Sequence, residues 1–493
     1  MSQSAQNGSC MLSPVDQLMP KMYTPLFLVY ETDQYESAVK KLNEGLAKVT
    51  ALLPFLKGSV HKTSDDSLPS NRLLLSWSSQ DPPLAVIETP TPGFLPSFEM
   101  LKQNEAPLSV FQETLCPVPS IIDYKTPGAK ASVLVVGATR MQGGLILCLC
   151  AHHVVMDGAG MGKFLKLWGD CTRDVVVRAD DKALYDPKEL YHRDAWLRNA
   201  SAYFPETEPI ATLEGLLLRH PEYSLRSMSS PQPPLSTNVS GQPVNCAAKI
   251  FAFSSAKLQE VKTAMSKSAP AKSLTVNNIL GTVLWAAITR ARLGRIRRDG
   301  LATVEDSATS KLGFAINARS KIGPAVSAKS FLGNVTMLKV VELAATEMEG
   351  IAENALVSSS AANLSLLIPV ISAIAAATSA VTPTHVGEIV AFADRLADVD
   401  DILPGWNSYH GLDLTYTSWA DVGMYDCDFG PSLGGGPRFV RIPYMPYLDG
   451  MVLSLPRRRL AEGLDERIEV AIMMNEQDMQ VLEENEMLRS WRA

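Results

Sequence analysis

Two apolar runs, ASVLVVGATRM and LILCLCAHHVV, flank Gly143 and Gly144, and a glycine-opened stretch, GAGMGKFLKLWGDCTRD, follows at once. The runs read as antiparallel strands joined by a glycine turn, and the stretch after them reads as a helix. This unit commits its part of the chain to a sheet with a helix beside it. Elsewhere the pattern alternates in the same way. Residues 33–56 carry apolar positions at helical spacing, and RLLLSW at 72–77 reads as a short strand. KIFAFS reads as a strand, and SSAKLQEVKTAM as a helix with a serine N-cap. SLTVNNILGTVLWAAITRARL reads as a further helix. LGFAINARS, FLGNVTMLKVVEL, DGMVLSLP and ERIEVAIMM read as strands, and an acidic helix ends the chain. No repeat of 20–50 residues is visible. The pattern predicts an α/β fold with two mixed-sheet domains.

The length, 493 residues, suits two domains better than one core. Between about Pro205 and Val244 the chain turns to Pro, Ser, Asn and Gln, as in SSPQPPLSTNVSGQP, which predicts a surface linker. The expected division is residues 1–204, a crossover at 205–245, and residues 246–493.

The formal charge of −7 gives no global basic field for nucleic acid or anionic lipid. Phosphates on a ligand would need a few local cations. Seven cysteines without a CxxC pair predict reduced thiols, with Cys148 and Cys150 on one face of a strand. No zinc pattern is visible, and no metal is expected. The N-terminus lacks a secretory pattern. The uncharged run Leu364 to Val381 is rich in Ala and Ser and contains Pro369, so it reads as a buried helix rather than a membrane span. A cytoplasmic location is expected.

AHHVVMDGAG at 151–160 carries the chemistry. His153 stands where a strand runs out and a helix-opening turn begins, a place where side chains commonly face a cleft. Imidazole, with an ordinary pKa near 6.5, accepts a proton at neutral pH. Asp157 either orients the turn or steadies the imidazole, and the spacing leaves both roles open. A zinc site would want a third ligand.

HHxxxDG resembles the signature of the coenzyme A-dependent acyltransferases, a superfamily that includes chloramphenicol acetyltransferase and peptide-synthetase condensation domains. Within it, the chain is similar to the BAHD family, and to fungal members like trichothecene 3-O-acetyltransferase. LSPVDQ at 12–17 resembles the family's opening strand motif. NAR at 317–319 with FLGN at 331–334 resembles its paired strand motif. TSW at 417–419 with DFG at 428–430 resembles its C-terminal signature. Together these motifs span the chain from Leu12 to the last helix. One departure is clear: the plant-type DFGWG is here DFGPSLGGGP.

The resemblance implies two chloramphenicol-acetyltransferase-like domains with an active-site channel between them, and a segment near 428–455 packed on the N-terminal domain. It implies direct acyl transfer from acyl-CoA, with acetyl-CoA the expected donor, to a hydroxyl of a fungal-type secondary metabolite. His153 is the general base, and no cofactor is permanently bound. Thr417 would supply a hydroxyl to the oxyanion and Trp419 would line the channel; a plain core role fits both equally. Asp157 is expected to pair with an arginine, with Gly158, Asn317 and Arg319 structural. Asp428 is expected to organise the fold through Arg319, a contact whose loss would cost ~3–5 kcal/mol. Ser254, Lys257 and Lys262, with Ser273 and Thr275 at the next helix start, are the expected coenzyme A contacts. The partners are small molecules, neither nucleic acid nor membrane, and a monomer is expected. Two rivals remain: a condensation-like, amide-forming enzyme, although no carrier or adenylation domain adjoins, and a catalytically silent ligand-binding relative.

Overall fold

The computed structural model describes residues 7–63, 70–175, 212–226, 245–266, 274–299, 308–322, 331–355, 364–409, 411–458 and 466–493. The strand–turn–strand–helix unit forms as the sequence predicts. Strands Leu134–Met141 and Gly144–His152 pair antiparallel from Met141↔Gly144 to Leu134↔Ala151. Gly143 adopts φ +71° in the turn, a conformation that glycine takes without steric cost. Strand Tyr23–Glu31 pairs along the full length of Gly144–His152, from Tyr23↔His152 to Glu31↔Gly144. Every residue of Gly144–His152 is buried, which explains its near-continuous apolar composition. Helix Gly158–Thr172 crosses helix Tyr35–Leu52 closely, and the Trp168 indole N–H donates to the Leu42 carbonyl at 3.0 Å.

This five-stranded sheet is completed by Val86–Thr89 at one edge and Phe439–Arg441 at the other. The second large sheet has six strands, in the order Cys246–Ser254, Arg467–Asn475, Met451–Ser454, Leu414–Ser418, Thr309–Asn317, Thr336–Ala344. Leu414–Ser418 runs parallel to both of its neighbours, so the sheet is mixed. The long helix Val276–Asp299 buries Val283, Leu284, Trp285 and Ile288 in the core. Strand Phe439–Arg441 comes from the second half of the sequence yet pairs with Tyr23–Glu31 of the first sheet. Buried Arg441 anchors it there, donating to the carbonyls of Glu105 and Ala106 and pairing with Glu469.

Three expectations need correction. LSPVDQ is not a strand: Pro14–Gln17 is a helical turn with a full capping box between Ser13 and Asp16. FLGN is loop, and its strand begins only at Thr336. Part of the presumed linker is packed structure. Helix Leu213–Arg219 and strand Tyr223–Leu225 lie inside 205–245, with Leu216, His220 and Glu222 buried. The Pro- and Ser-rich composition of the whole stretch masked the apolar spacing of LEGLLLR. The uncharged run holds helix Leu367–Ser379, which buries Leu367, Val370, Ile371 and Ile374. No single helix among the described residues is long and apolar enough to cross a membrane. That helix and Pro383–Arg395 pass such a test only as a pair, bent by 69°.

Candidate active site

His153 follows the end of strand Gly144–His152, and backbone bonds fix where it projects. Its N–H donates to the Met22 carbonyl at 2.9 Å, and its carbonyl accepts from Asn334 Nδ2 at 2.9 Å. Asn334 is held in turn by Asp16, whose Oδ1 accepts from the Asn334 backbone N–H at 3.0 Å and from its side-chain amide at 2.8 Å. Asp16 is itself fixed by Ser13, whose hydroxyl donates to Oδ2 at 2.7 Å. LSPVDQ and FLGN thus form one bracket around the backbone of the candidate base. Burial lowers the His153 pKa, opposed in part by its own carbonyl, by Asp157 and by Asn334, leaving it below the usual histidine value. Burial thus favours the neutral imidazole, the form that can accept a proton.

His152 does a different job. The Val154 N–H donates to its Nδ1 at 3.3 Å, so the neutral ring carries its proton on Nε2, which lies 2.6 Å from the Tyr124 hydroxyl. Burial, then the adjacent His153, pushes its pKa down to about 3. Of the two histidines, this one is a core residue.

Asp157 caps helix Gly158–Thr172, accepting from the Gly160 N–H at 2.8 Å. It also takes both arms of the Arg319 guanidinium, at 2.8 and 2.9 Å. The Val335 N–H at 3.1 Å and the Thr336 hydroxyl at 3.2 Å complete its shell. Burial raises its pKa, but Arg319 and these donors outweigh that and hold it below the ordinary carboxylate range. Asn317 Oδ1 accepts from the Arg319 backbone N–H at 3.1 Å and so shapes the turn that presents the guanidinium.

The expected pairing of Asp428 with Arg319 is therefore wrong, because Asp157 already takes both arms of that guanidinium. Asp428 Oδ1 accepts from the Gly430 N–H at 2.7 Å, and Oδ2 lies 3.4 Å from Arg173 Nη1. Its backbone carbonyl presses on Gly169, where a Cβ would come within 2.6 Å. The next residue, Phe429, meets Trp168 edge-on at 4.8 Å between ring centres. DFG clips its loop onto the helix that HHVVMDG opens.

Two glycines after Asp157 admit the second half of the sequence to the site. A Cβ on Gly160 would lie 2.1 Å from the Leu332 carbonyl, and one on Gly158 would lie 2.9 Å from Trp419 Nε1. Trp419 is thus seated at the mouth of the helix behind His153. On strand Leu414–Ser418, Tyr416 and Ser418 face a cavity, and alternation puts Thr417 on the opposite face.

That cavity, about 570 Å³, is lined by Lys262, Thr275, Ser418, Ser454 and Arg457 among others, with Ile374 and Thr378 on one wall. Of the expected coenzyme A contacts, Lys262 and Thr275 line it. Ser254 and Lys257 do not. Ser254 caps its helix, and the Lys257 ammonium donates to the backbone carbonyl of Arg492 at 2.6 Å. Ser273 lies outside the described residues. Arg457 was missed. It is held by Glu466 through bonds of 2.8 and 2.6 Å, and its signal in the sequence is the run Arg457–Arg458–Arg459 in an acidic chain.

Residues 22–171 match the trichothecene 3-O-acetyltransferase-like N-terminal domain family. The trichothecene 8-O-acetyltransferase of Fusarium sporotrichioides is 31% identical over 513 aligned positions, covering 100% of this chain and 99% of that one. This chain belongs to the trichothecene acetyltransferase-like branch of the BAHD acyltransferases. Members of the branch similar to it include the trichothecene 3-O-acetyltransferase of the same fungus, 22% identical over 98% of this chain and 97% of that protein. A crystal structure of that enzyme with coenzyme A and T-2 superposes with a TM-score of 0.73 at 19% identity, over 98% of this chain and 99% of that one. Vinorine synthase superposes with a TM-score of 0.58 at 16% identity, over 98% of this chain and 93% of that one. The fold is the two-domain chloramphenicol-acetyltransferase-like one, and the protein is an acyltransferase.

Proposed function

We propose that this BAHD acyltransferase moves an acetyl group from acetyl-CoA to a hydroxyl of a fungal-type secondary metabolite, with His153 as general base. The observation that carries the reading is the placement of His153. It is set at a strand end by the Asp16–Asn334 bracket, next to a helix mouth occupied by Trp419, and burial favours its neutral form. His153 takes the proton of the acceptor hydroxyl as its oxygen attacks the thioester carbonyl. The tetrahedral oxyanion collapses, the C–S bond breaks, and the imidazolium returns the proton to the thiolate. Thr417 is assigned to the oxyanion on the strength of the family's TSW motif alone.

The cavity beside strand Leu414–Ser418 is assigned to coenzyme A. Lys262 and Arg457 supply the cations a phosphate needs, and the Thr275 helix start supplies donors. Its volume falls in the ordinary range for a small-molecule site. The names of similar proteins support an oxygen acceptor in a secondary metabolite: besides the trichothecene enzymes, an O-acetyltransferase of Cryptosporiopsis is 24% identical over 95% of this chain. On this reading the enzyme works in the cytoplasm as a monomer on small molecules, with no role for nucleic acid or membrane, consistent with its acidic charge. Incubation with acetyl-CoA and a panel of fungal alcohols tests the reading. Acceptor-dependent thiol release with an acetyl ester seen by mass spectrometry is expected. Thiol release without an acetylated product, or no release with any acceptor, would count against it.

A further inference from the structure

The segment Thr212–Arg226 is held to helix Pro383–Arg395 by a buried cluster of nitrogen and oxygen donors. His220 is 2% exposed, Glu222 0% and His385 7%. One ring nitrogen from each histidine and a carboxylate oxygen of Glu222 lie within 4.8 Å of one another. His220 Nδ1 is 3.3 Å from Glu222 Oε1, and His385 Nε2 is 3.5 Å from the same oxygen. In a tetrahedral zinc site with bonds of about 2.0–2.1 Å, neighbouring ligand atoms sit roughly 3.3–3.4 Å apart. The two histidine–glutamate separations are already close to that spacing.

Two further observations point to a cation site. His385 Nε2 is buried and has no hydrogen-bond partner among the described residues. Such an orphan is costly unless something occupies the space it faces. The second is His220, whose two nitrogens both face carboxylates: Nδ1 faces Glu222, and Nε2 lies 2.9 Å from Glu388 Oε2. Each of these nitrogens therefore needs a proton or a metal ion between it and its carboxylate, and a neutral imidazole carries only one proton. With a metal ion on Nδ1, Nε2–H donates to Glu388. A histidine ligand backed by a carboxylate on its far nitrogen is the usual outer arrangement of a zinc site. Arg219 holds Glu388 in place at 3.0 Å.

We propose that His220 Nδ1, His385 Nε2 and Glu222 form a binding site for a divalent transition metal, zinc above all, that ties the 212–226 segment to helix Pro383–Arg395. The Lys339 ammonium, 3.1 and 3.2 Å from the two Glu222 oxygens, is the competing cation. Its charge weakens the site, and its side chain is 12% exposed, which gives it a way out. Lys339 lies on strand Thr336–Ala344, which begins immediately after the FLGN loop that holds His153. Helix Pro383–Arg395 also packs on the helical turn Pro14–Gln17 that carries Asp16, so metal binding braces the frame around His153.

The test uses the full chain, stripped with a chelator, loaded with Zn2+ or Co2+, desalted, and assayed for metal by mass spectrometry. One retained equivalent is expected, together with a higher melting temperature that depends on zinc concentration. His385→Gln and Glu222→Gln should abolish retention. Glu388→Gln should weaken affinity roughly 10- to 100-fold, and it serves if those two fail to fold. Lys339→Met should tighten binding. A second group of possible ligands, Cys116, Cys148 and Cys150, is controlled for by Cys116→Ser, which should retain the metal. The Co2+ form should show visible bands without a thiolate charge-transfer band. No retained metal, retention in folded His385→Gln, or loss in Cys116→Ser would overturn the proposal.

Discussion

Asp157 and Arg319 are 162 residues apart in sequence and meet in a two-armed ion pair, at 2.8 and 2.9 Å, with both side chains buried. The pair joins the turn after His153 to the end of strand Thr309–Asn317, and so couples the two large sheets. Removing one partner strands the other charge. Arg319→Met should cost ~3–5 kcal/mol of stability. Chemical denaturation measures it, and a loss below 1 kcal/mol would contradict the geometry. Activity should fall with the folded fraction.

Asp428 should behave otherwise. Its contact with Arg173 is exposed and long, at 3.4 Å, and a surface pair of that kind contributes about 0–1 kcal/mol. Asp428→Asn keeps the oxygen that accepts from Gly430, so it should leave stability within about 1 kcal/mol and leave acetyl transfer measurable. A total loss of activity in a folded Asp428→Asn protein would show that the loop contributes more than its contacts.

Gly160→Ala would push a methyl group to within 2.1 Å of the Leu332 carbonyl. Helix and loop would have to separate, at a cost of about 1–3 kcal/mol. Because Leu332 precedes the loop that carries Asn334, the displacement should lower kcat more than it raises KM for acetyl-CoA. Steady-state kinetics of the purified variant separate the two.

The pH dependence follows from the lowered histidines. With its pKa below 6.5, His153 remains an unprotonated base at pH values where a solvated histidine is half protonated. The acid limb of kcat/KM should therefore fall below pH 6.5. His152 has a folded pKa of about 3 against an ordinary 6.5, so the unfolded chain binds the extra proton between these values. Its contribution to stability is complete above about pH 6.5 and declines as pH drops toward 3, with a slope of at most about 1.4 kcal/mol per unit. Tyr124→Phe, which leaves the His152 Nε2–H without its acceptor, should cost ~1–3 kcal/mol.

Much of this was legible in the residues. Gly143 marked the turn, the apolar runs on either side marked the strands, and Ser254 marked a helix start that the structure confirms. His153 could be singled out because a strand ends there and a glycine-opened helix follows. What stayed hidden depended on which distant groups meet. Asp157 and Asp428 look alike in sequence as candidates for Arg319, and only the fold decides between them. Lys257 and Lys262 are five residues apart on one helix, yet one turns to the backbone carbonyl of Arg492 and the other to the cavity. His220, Glu222 and His385 form no local spacing pattern at all. LSPVDQ carries Pro14, which suits the first turn of a helix, and that local signal outweighs its reading as a strand.

The central claim is that His153 removes the acceptor proton. The most direct measurement compares single-turnover acetyl transfer by the parent protein and by His153→Ala, with coenzyme A binding and circular dichroism confirming that both are folded and loaded. A fall of about 10²- to 10⁴-fold in the transfer rate with unchanged coenzyme A affinity is predicted. Equal rates in the two proteins would contradict it and place the base elsewhere.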